Sequence, residues 1–255
     1  MLHFSTMGEA SEHPPVLLAH GLFGSGKNLG GVARRLAQDR LVVSVDMRNH
    51  GDSFHSDDHG YLSLADDLAE VIAAQRAPMD VVGHSMGGKT AMVAALRRPE
   101  LVRRLVVLDI APIAYPHDQL GLIDAMESLD LNGLKLRSEA DRRLSARIKT
   151  PGVRAFLLQS LDLKTEPAHW KMNLEALRAN MDAVVGWPDG LEPGRFTGPV
   201  LALAGRQSDY CGADAVAAIH RYFPQALVEF LEGTGHWLHA ERPEEVSERL
   251  YAFLS

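Results

Sequence analysis

The chain has 255 residues, 46% of them hydrophobic, and a formal net charge of −7. That is enough apolar material for a large core without covalent staples, and the single cysteine, Cys211, excludes an intramolecular disulfide and any multi-cysteine metal site. With a pI of about 5.9 the chain lacks the basic face that nucleic-acid binding requires; its one basic concentration, Arg137 to Arg154, is interrupted by Glu139 and Asp141.

Met1 to Pro15 contains no basic stretch leading into an apolar one, and nowhere do the roughly 18 apolar residues of a membrane span run together. The sequence therefore predicts a cytoplasmic protein, with Cys211 as a reduced loop or core residue. Short apolar runs follow at Val16 to Ala19, Leu41 to Val45, Met79 to Val82, Leu105 to Leu108, Val200 to Ala204 and Leu227 to Leu231. Each ends in a polar or glycine-rich turn and most lead into a helical pattern, the signature of βαβ units and a parallel sheet. Their continuous apolar character predicts strands buried on both faces. Ile113 to Gly190 has no convincing strand but carries Leu120, Ile123 and Met126, then Phe156, Leu157 and Leu158, then Trp170, Leu174, Leu177 and Met181 at near-helical spacing. The expected organisation is an α/β core of residues 1–112 and 191–255, with residues 113–190 as a helical lid over the carboxyl ends of the strands, where open α/β sheets place ligands.

The run from Met79 leads directly into Gly83-His84-Ser85-Met86-Gly87-Gly88, and Lys89 to Arg97 then reads as a helix. A serine between glycines on a strand-to-helix turn is a nucleophile elbow: the strained backbone lifts the hydroxyl clear of the sheet. An oxyanion hole needs two converging N–H groups, one from the residue after the nucleophile and one from an early loop. Met86 supplies the first, and in His20-Gly21-Leu22-Phe23-Gly24-Ser25 the second is Leu22 or, failing that, Phe23. His236, on the glycine-rich loop Gly233-Thr234-Gly235 after the last apolar run, is the expected general base. His20 and His84 read as bracing residues, Lys89 as structural or solvent-facing, and His50, His55, His59, His117, His220 and His239 as surface or loop residues. No metal-ligand spacing such as H-E-x-x-H occurs. The acid that orients His236 is open between two positions. Asp209 lies in the loop after Val200 to Ala204, although Ser208 occupies the usual place there, and Asp109 ends the run Leu105 to Leu108.

With these residues in hand, the chain resembles the α/β-hydrolase superfamily, and within it the YbfF-like and ABHD11-like esterases. The resemblance rests on His20 to Ser25, Asp46-Met47-Arg48-Asn49-His50-Gly51-Asp52-Ser53, Gly83 to Lys89, and Leu108-Asp109-Ile110-Ala111-Pro112. It implies a mostly parallel central sheet flanked by helices, a compact helical lid, and a small esterase or thioesterase that acts on acyl substrates without a cofactor. It also implies Asp109 as the acid, Ser208 as an accessory hydrogen-bond partner, and Asp46 to Ser53 as a loop bracing the His20 turn. Cofactor-free haloperoxidase chemistry, C–C bond hydrolysis, or a silent binding protein of the same fold are the alternatives. Leu22, Phe23, Met126, Phe156, Trp170 and Trp237 are expected to include the acyl-pocket lining. Arg142, Arg143, Arg147 and Lys149, read on one lid helix, could meet the phosphates of coenzyme A as a leaving group, the other reading being a solvated charged face. Oligomeric state has no signature in the sequence.

Overall fold

The computed structural model describes residues 1–116 and 118–255, so His117 lies outside the described residues. In chain order the elements are β1 (Phe4–Met7), β2 (Val16–Ala19), α1 (Gly30–Leu36), β3 (Val42–Val45), α2 (Tyr61–Ala74), β4 (Met79–His84), α3 (Met86–Arg97) and β5 (Val102–Leu108). There follow α4 (Leu120–Glu127), α5 (Arg137–Leu144), α6 (Pro151–Leu158), β6 (Leu161–Asp162), β7 (His169–Trp170), α7 (Leu174–Ala179) and α8 (Met181–Val185). The chain closes with β8 (Val200–Gly205), α9 (Ala213–Tyr222), β9 (Leu227–Leu231), α10 (Leu238–Glu241) and α11 (Pro243–Leu254).

Seven strands form one sheet in the order β1-β3-β2-β4-β5-β8-β9. All neighbours are parallel except β1 and β3. The apolar runs are continuous because both faces of the sheet are covered. Leu17, Ala19, Val81, Leu105 and Val107 pack with α2, α3 and α9 on one face, while Val16, Leu18, Val82, Val106 and Leu108 pack with α1 and α11 on the other. Each fully buried Val or Leu contributes about 1.5–3 kcal/mol relative to exposure. The strand order reverses direction between β2 and β4, whose register pairs Ala19 with Gly83. This switch point opens a crevice at the carboxyl ends of the two strands, and it sets the His20 loop beside Ser85.

Three expectations need correction. β9 is an edge strand, with Leu227 57% exposed, because nothing pairs beyond it to cover its outer side. β1, which carries no sequence signal, pairs antiparallel with β3 at the other edge. Residues 113–190 also contain a short antiparallel ribbon, with Leu161 opposite Trp170. Trp170 therefore belongs to β7 rather than to a helix, and α7 starts only after Asn173, whose side chain accepts the Ala176 N–H at 3.2 Å as an N-cap.

The same segment builds its own apolar cluster around Ile123, Met126, Leu144, Leu157, Trp170 and Leu177. It is laced to the Asp46 to Ser53 loop by the Gly51 N–H donating to the Lys171 carbonyl at 2.7 Å and the Asn173 N–H donating to the Asn49 carbonyl at 2.9 Å. Arg142 and Arg143 lie on α5, but Arg147 and Lys149 fall beyond its end, so the four do not share one helix. Among the described residues no helix is long and apolar enough to cross a membrane.

Gly205 ends β8 where the loop carrying His236 passes over it, and a Cβ there would lie 2.6 Å from the Thr234 carbonyl oxygen. Gly205→Ala is expected to force that loop outward and destabilise the fold by about 1–3 kcal/mol, as overpacking does. Urea unfolding measures it, and an unchanged midpoint would contradict so tight an approach.

Candidate active site

Ser85 joins β4 to α3 with φ 52 and ψ −119, a conformation that L side chains rarely adopt. The turn can be this tight because Gly87 has no side chain: a Cβ there would sit 2.5 Å from the His20 carbonyl oxygen. The Ser85 N–H donates to the Leu108 carbonyl at 3.0 Å, which fixes the turn against β5.

From the loop after β9, His236 directs Nε2 at Ser85 Oγ across 3.1 Å and Nδ1 at Asp109 Oδ2 across 2.7 Å. A carboxylate only accepts, so the proton resides on Nδ1 and Nε2 is left to take the serine proton. Asp109, with φ 53, is completely buried at the end of β5. Its Oδ1 accepts the Gly205 N–H at 2.8 Å, and its Oδ2 accepts the Ser208 hydroxyl in addition to His236. Three donors thus offset the cost of taking this carboxylate out of water. Asp209 is exposed, and among the described residues it makes no hydrogen bond to His236.

The imidazole is also held from two other directions. Tyr210 stacks on it with ring centres 4.1 Å apart, and His84 donates Nε2–H to the His236 carbonyl at 2.9 Å. His84 itself is buried between the rings of His236 and His239.

Phe23, at φ 63, gives its N–H to His50 Nε2 at 3.1 Å and its carbonyl to the Ser160 hydroxyl at 3.0 Å. That commitment removes Phe23 as an oxyanion donor. The Leu22 N–H remains, with no partner among the described residues, beside the Met86 N–H at the first position of α3, where helix geometry provides no acceptor. His20 braces the same loop by donating Nδ1–H to the Gly21 carbonyl at 2.7 Å and accepting the Met47 N–H at Nε2, 3.0 Å. His50 and His59 lie in a loop but are fully buried, and His239 is buried on α10, whereas His55 and His220 are exposed. His59 Nε2 sits 3.3 Å from the Met86 sulfur, behind the elbow.

A cavity of about 360 Å³ opens above Ser85. Leu22, Phe23, Phe156 and Trp237 line it, with Phe156 and Trp237 ring to ring at 5.9 Å. Met126 and Trp170 do not line it. The indole N–H needs an acceptor and finds the Met126 carbonyl at 3.1 Å inside the apolar cluster of residues 113–190, so both side chains are consumed by that interior. Lys89, Tyr61, Tyr115 and Tyr210 join the lining without having been predicted to.

Of groups that could hold a metal, His3, Asp46 and Asp52 lie together, but Asp46 Oδ1 already accepts the Gly26 N–H and Oδ2 the Asp52 N–H, and none of the three lines the cavity. Cys211 is buried in the loop after β8, and burial pushes its thiol well above the usual range.

A family profile described as the alpha/beta hydrolase fold matches residues 14–243, and the chain belongs to that family. Among its relatives, the mouse (Mus musculus) sn-1-specific diacylglycerol lipase ABHD11 is 38% identical over 95% of this chain and 81% of its own length. Esterase YbfF of Escherichia coli is 33% identical, covering 94% of this chain and 93% of its own. A solved marine microorganism esterase superposes with a TM-score of 0.93 at 35% identity, over 99% of this chain and 98% of its own. The chain is an α/β hydrolase of the esterase type.

Burial drives the pKa values of His20, His50, His59, His84 and His239 below the ordinary 6.5, those of His59 and His239 to about 4. These rings are neutral in the folded chain and bind protons more readily when it unfolds. Their stabilising contribution is therefore complete above pH 6.5 and is lost as the pH falls below it, at a limiting ~1.4 kcal/mol per pH unit for each ring. Urea titrations at pH 7.5 and 5 are expected to differ by several kcal/mol in unfolding free energy; equal values would show that the rings are not held neutral.

Proposed function

We propose that the protein hydrolyses carboxylic esters, and thioesters of similar size, through an acyl intermediate on Ser85. The observation that supports this most directly is the unbroken line from Ser85 Oγ through His236 to the buried Asp109 carboxylate, beside two N–H groups without acceptors.

In this reading Ser85 Oγ attacks the acyl carbonyl while His236 Nε2 takes its proton. The Leu22 and Met86 amides stabilise the oxyanion that forms, and the fixed Asp109 carboxylate stabilises the imidazolium. Collapse of the tetrahedral species expels the alcohol or thiol, which receives the proton from His236. Water then attacks the acyl-serine with His236 again as base, releasing the acid and restoring Ser85. Asp109 serves as the orienting acid, with Ser208 bonding the same oxygen that accepts from His236 and the Gly205 N–H holding the other, and Asp209 has no part. Residues 113–190 act as a lid that walls the acyl site with Phe156. The apolar lining suits short to medium acyl chains. Coenzyme A has weaker support, because Arg143 is already engaged by Glu139 Oε1 at 2.7 Å and the Asp130 carbonyl at 2.8 Å.

A fluorophosphonate probe is expected to label wild-type protein at Ser85 and to leave Ser85→Ala unlabelled; folded wild-type protein that stays unlabelled would favour a silent binding protein. Asp109→Asn is expected to lower kcat for p-nitrophenyl butyrate by about 10⁴, by analogy with the aspartate of the serine-protease triad, while Asp209→Asn stays within a few-fold of wild type. The reverse pattern would move the acid to Asp209. Acyl-CoA thioesters assayed beside the p-nitrophenyl esters decide the leaving group, and turnover of acyl-CoA that is unaffected by Arg142→Ala and Arg143→Ala would remove those arginines from it.

A further inference from the structure

Lys89 is the one Lys or Arg among the residues lining the cavity, one helical turn beyond Ser85 on α3. It is 1% exposed. Two of its three N–H groups are engaged: Nζ donates to the Val185 carbonyl at 2.9 Å and to the Gly186 carbonyl at 2.5 Å, at the end of α8. The face of the Tyr115 ring lies 4.8 Å away and that of Tyr61 5.5 Å away. No carboxylate among the described residues lies within ion-pair distance of it, unlike the buried Arg48, which is paired with Asp67.

This arrangement is costly if it serves only to tie down α8. A methionine would fill the same volume without a charge, and carbonyl dipoles and ring faces offset only part of the desolvation of an ammonium. The cost is visible in the amine itself, which burial alone pulls down to about 7 with no opposing carboxylate to restore it. A cation kept in the wall of the reaction cavity, with one N–H uncommitted, is a site for an anionic oxygen of the substrate.

We infer that Lys89 binds a carboxylate carried by the substrate, so that the preferred esters are those with an anionic group a few carbons from the scissile bond. The position fits. His236 stacks on Tyr210, Tyr210 lies 5.0 Å from Tyr115, and Tyr115 lies under Lys89, so the ammonium and the reacting serine share one wall of the cavity. Helix geometry separates residues four apart by about 6 Å along the axis, within the span of a short diacid. Phe156 and Trp237 keep another part of the cavity apolar for the uncharged portion.

The inference rests on the esterase reading, and matched substrate pairs separate the two. On the acyl side the pair is mono-p-nitrophenyl adipate and its methyl ester; on the alcohol side it is the acetate of 4-hydroxyphenylacetic acid and the corresponding methyl ester. Wild-type protein is expected to favour the anionic member of at least one pair by about tenfold or more in kcat/KM, the scale of a charge-assisted hydrogen bond. Lys89→Met is expected to bring that ratio to about one or below. Lys89→Gln, which keeps an N–H for the α8 carbonyls but no charge, should do the same and guards against a Met variant that fails to fold. Because ratios are compared, a general loss of activity in a variant cancels. Wild-type preference for the neutral member in both pairs, or an anionic preference that survives both substitutions, would overturn the inference. Failure to hydrolyse any of the four esters would instead count against the esterase reading.

Discussion

The site depends on one buried carboxylate. Asp109 is cut off from water at the end of β5, and an ionised group there is tolerable only while its oxygens are occupied. The three donors that occupy them come from different segments: the Gly205 amide ends β8, Ser208 lies in the following loop, and His236 follows β9. Satisfying one charge therefore sets the relative positions of three strand ends, and the imidazole is aimed at Ser85 as a consequence. The close passage of the His236 loop over Gly205 belongs to the same constraint, since any retreat of that loop would leave the carboxylate short of a donor.

A second device fixes the Leu22–Phe23 loop beside Ser85. Phe23 is gripped through both ends of its peptide environment, its N–H by His50 from the Asp46 to Ser53 loop and its carbonyl by Ser160 from the segment between β5 and β8. The same loop is tied to that segment through Gly51 and Asn173. The conformation that frees the Leu22 N–H is thus held jointly by the sheet side and the covering segment. The histidines that do this work must remain neutral, because His20 and His50 each accept a backbone N–H at Nε2 and a second ring proton would abolish that acceptor.

What could be read from the sequence follows the range of the interactions involved. Ser85 stood out because a glycine-flanked serine between a strand and a helix is a local pattern with a local cause, and the apolar runs stood out because a sheet covered on both faces leaves no polar alternation. β9 broke that rule, since being an edge strand is a property of the sheet order and not of the run. Trp170 and Met126 miss the pocket that their spacing predicts, because periodicity reports that a residue faces inward without saying into which interior. His50 and Lys89 are silent in the sequence for a related reason: nothing near them in the chain announces that one accepts the Phe23 N–H and the other donates to the end of α8. Their place within Asp46 to Ser53 and Gly83 to Lys89, two of the segments that carry the family resemblance, is the available signal.

The proposed reaction carries the acyl group through Ser85. Rapid acid quenching of p-nitrophenyl acetate turnover, followed by intact-mass and peptide analysis, tests it without any substitution. A protein species heavier by one acetyl group, located on the peptide containing Ser85 and appearing with the first burst of nitrophenol, is the predicted result. Steady hydrolysis with no covalent species even when deacylation is slowed, or an acetyl group found on Cys211 or Lys89 instead, would contradict it.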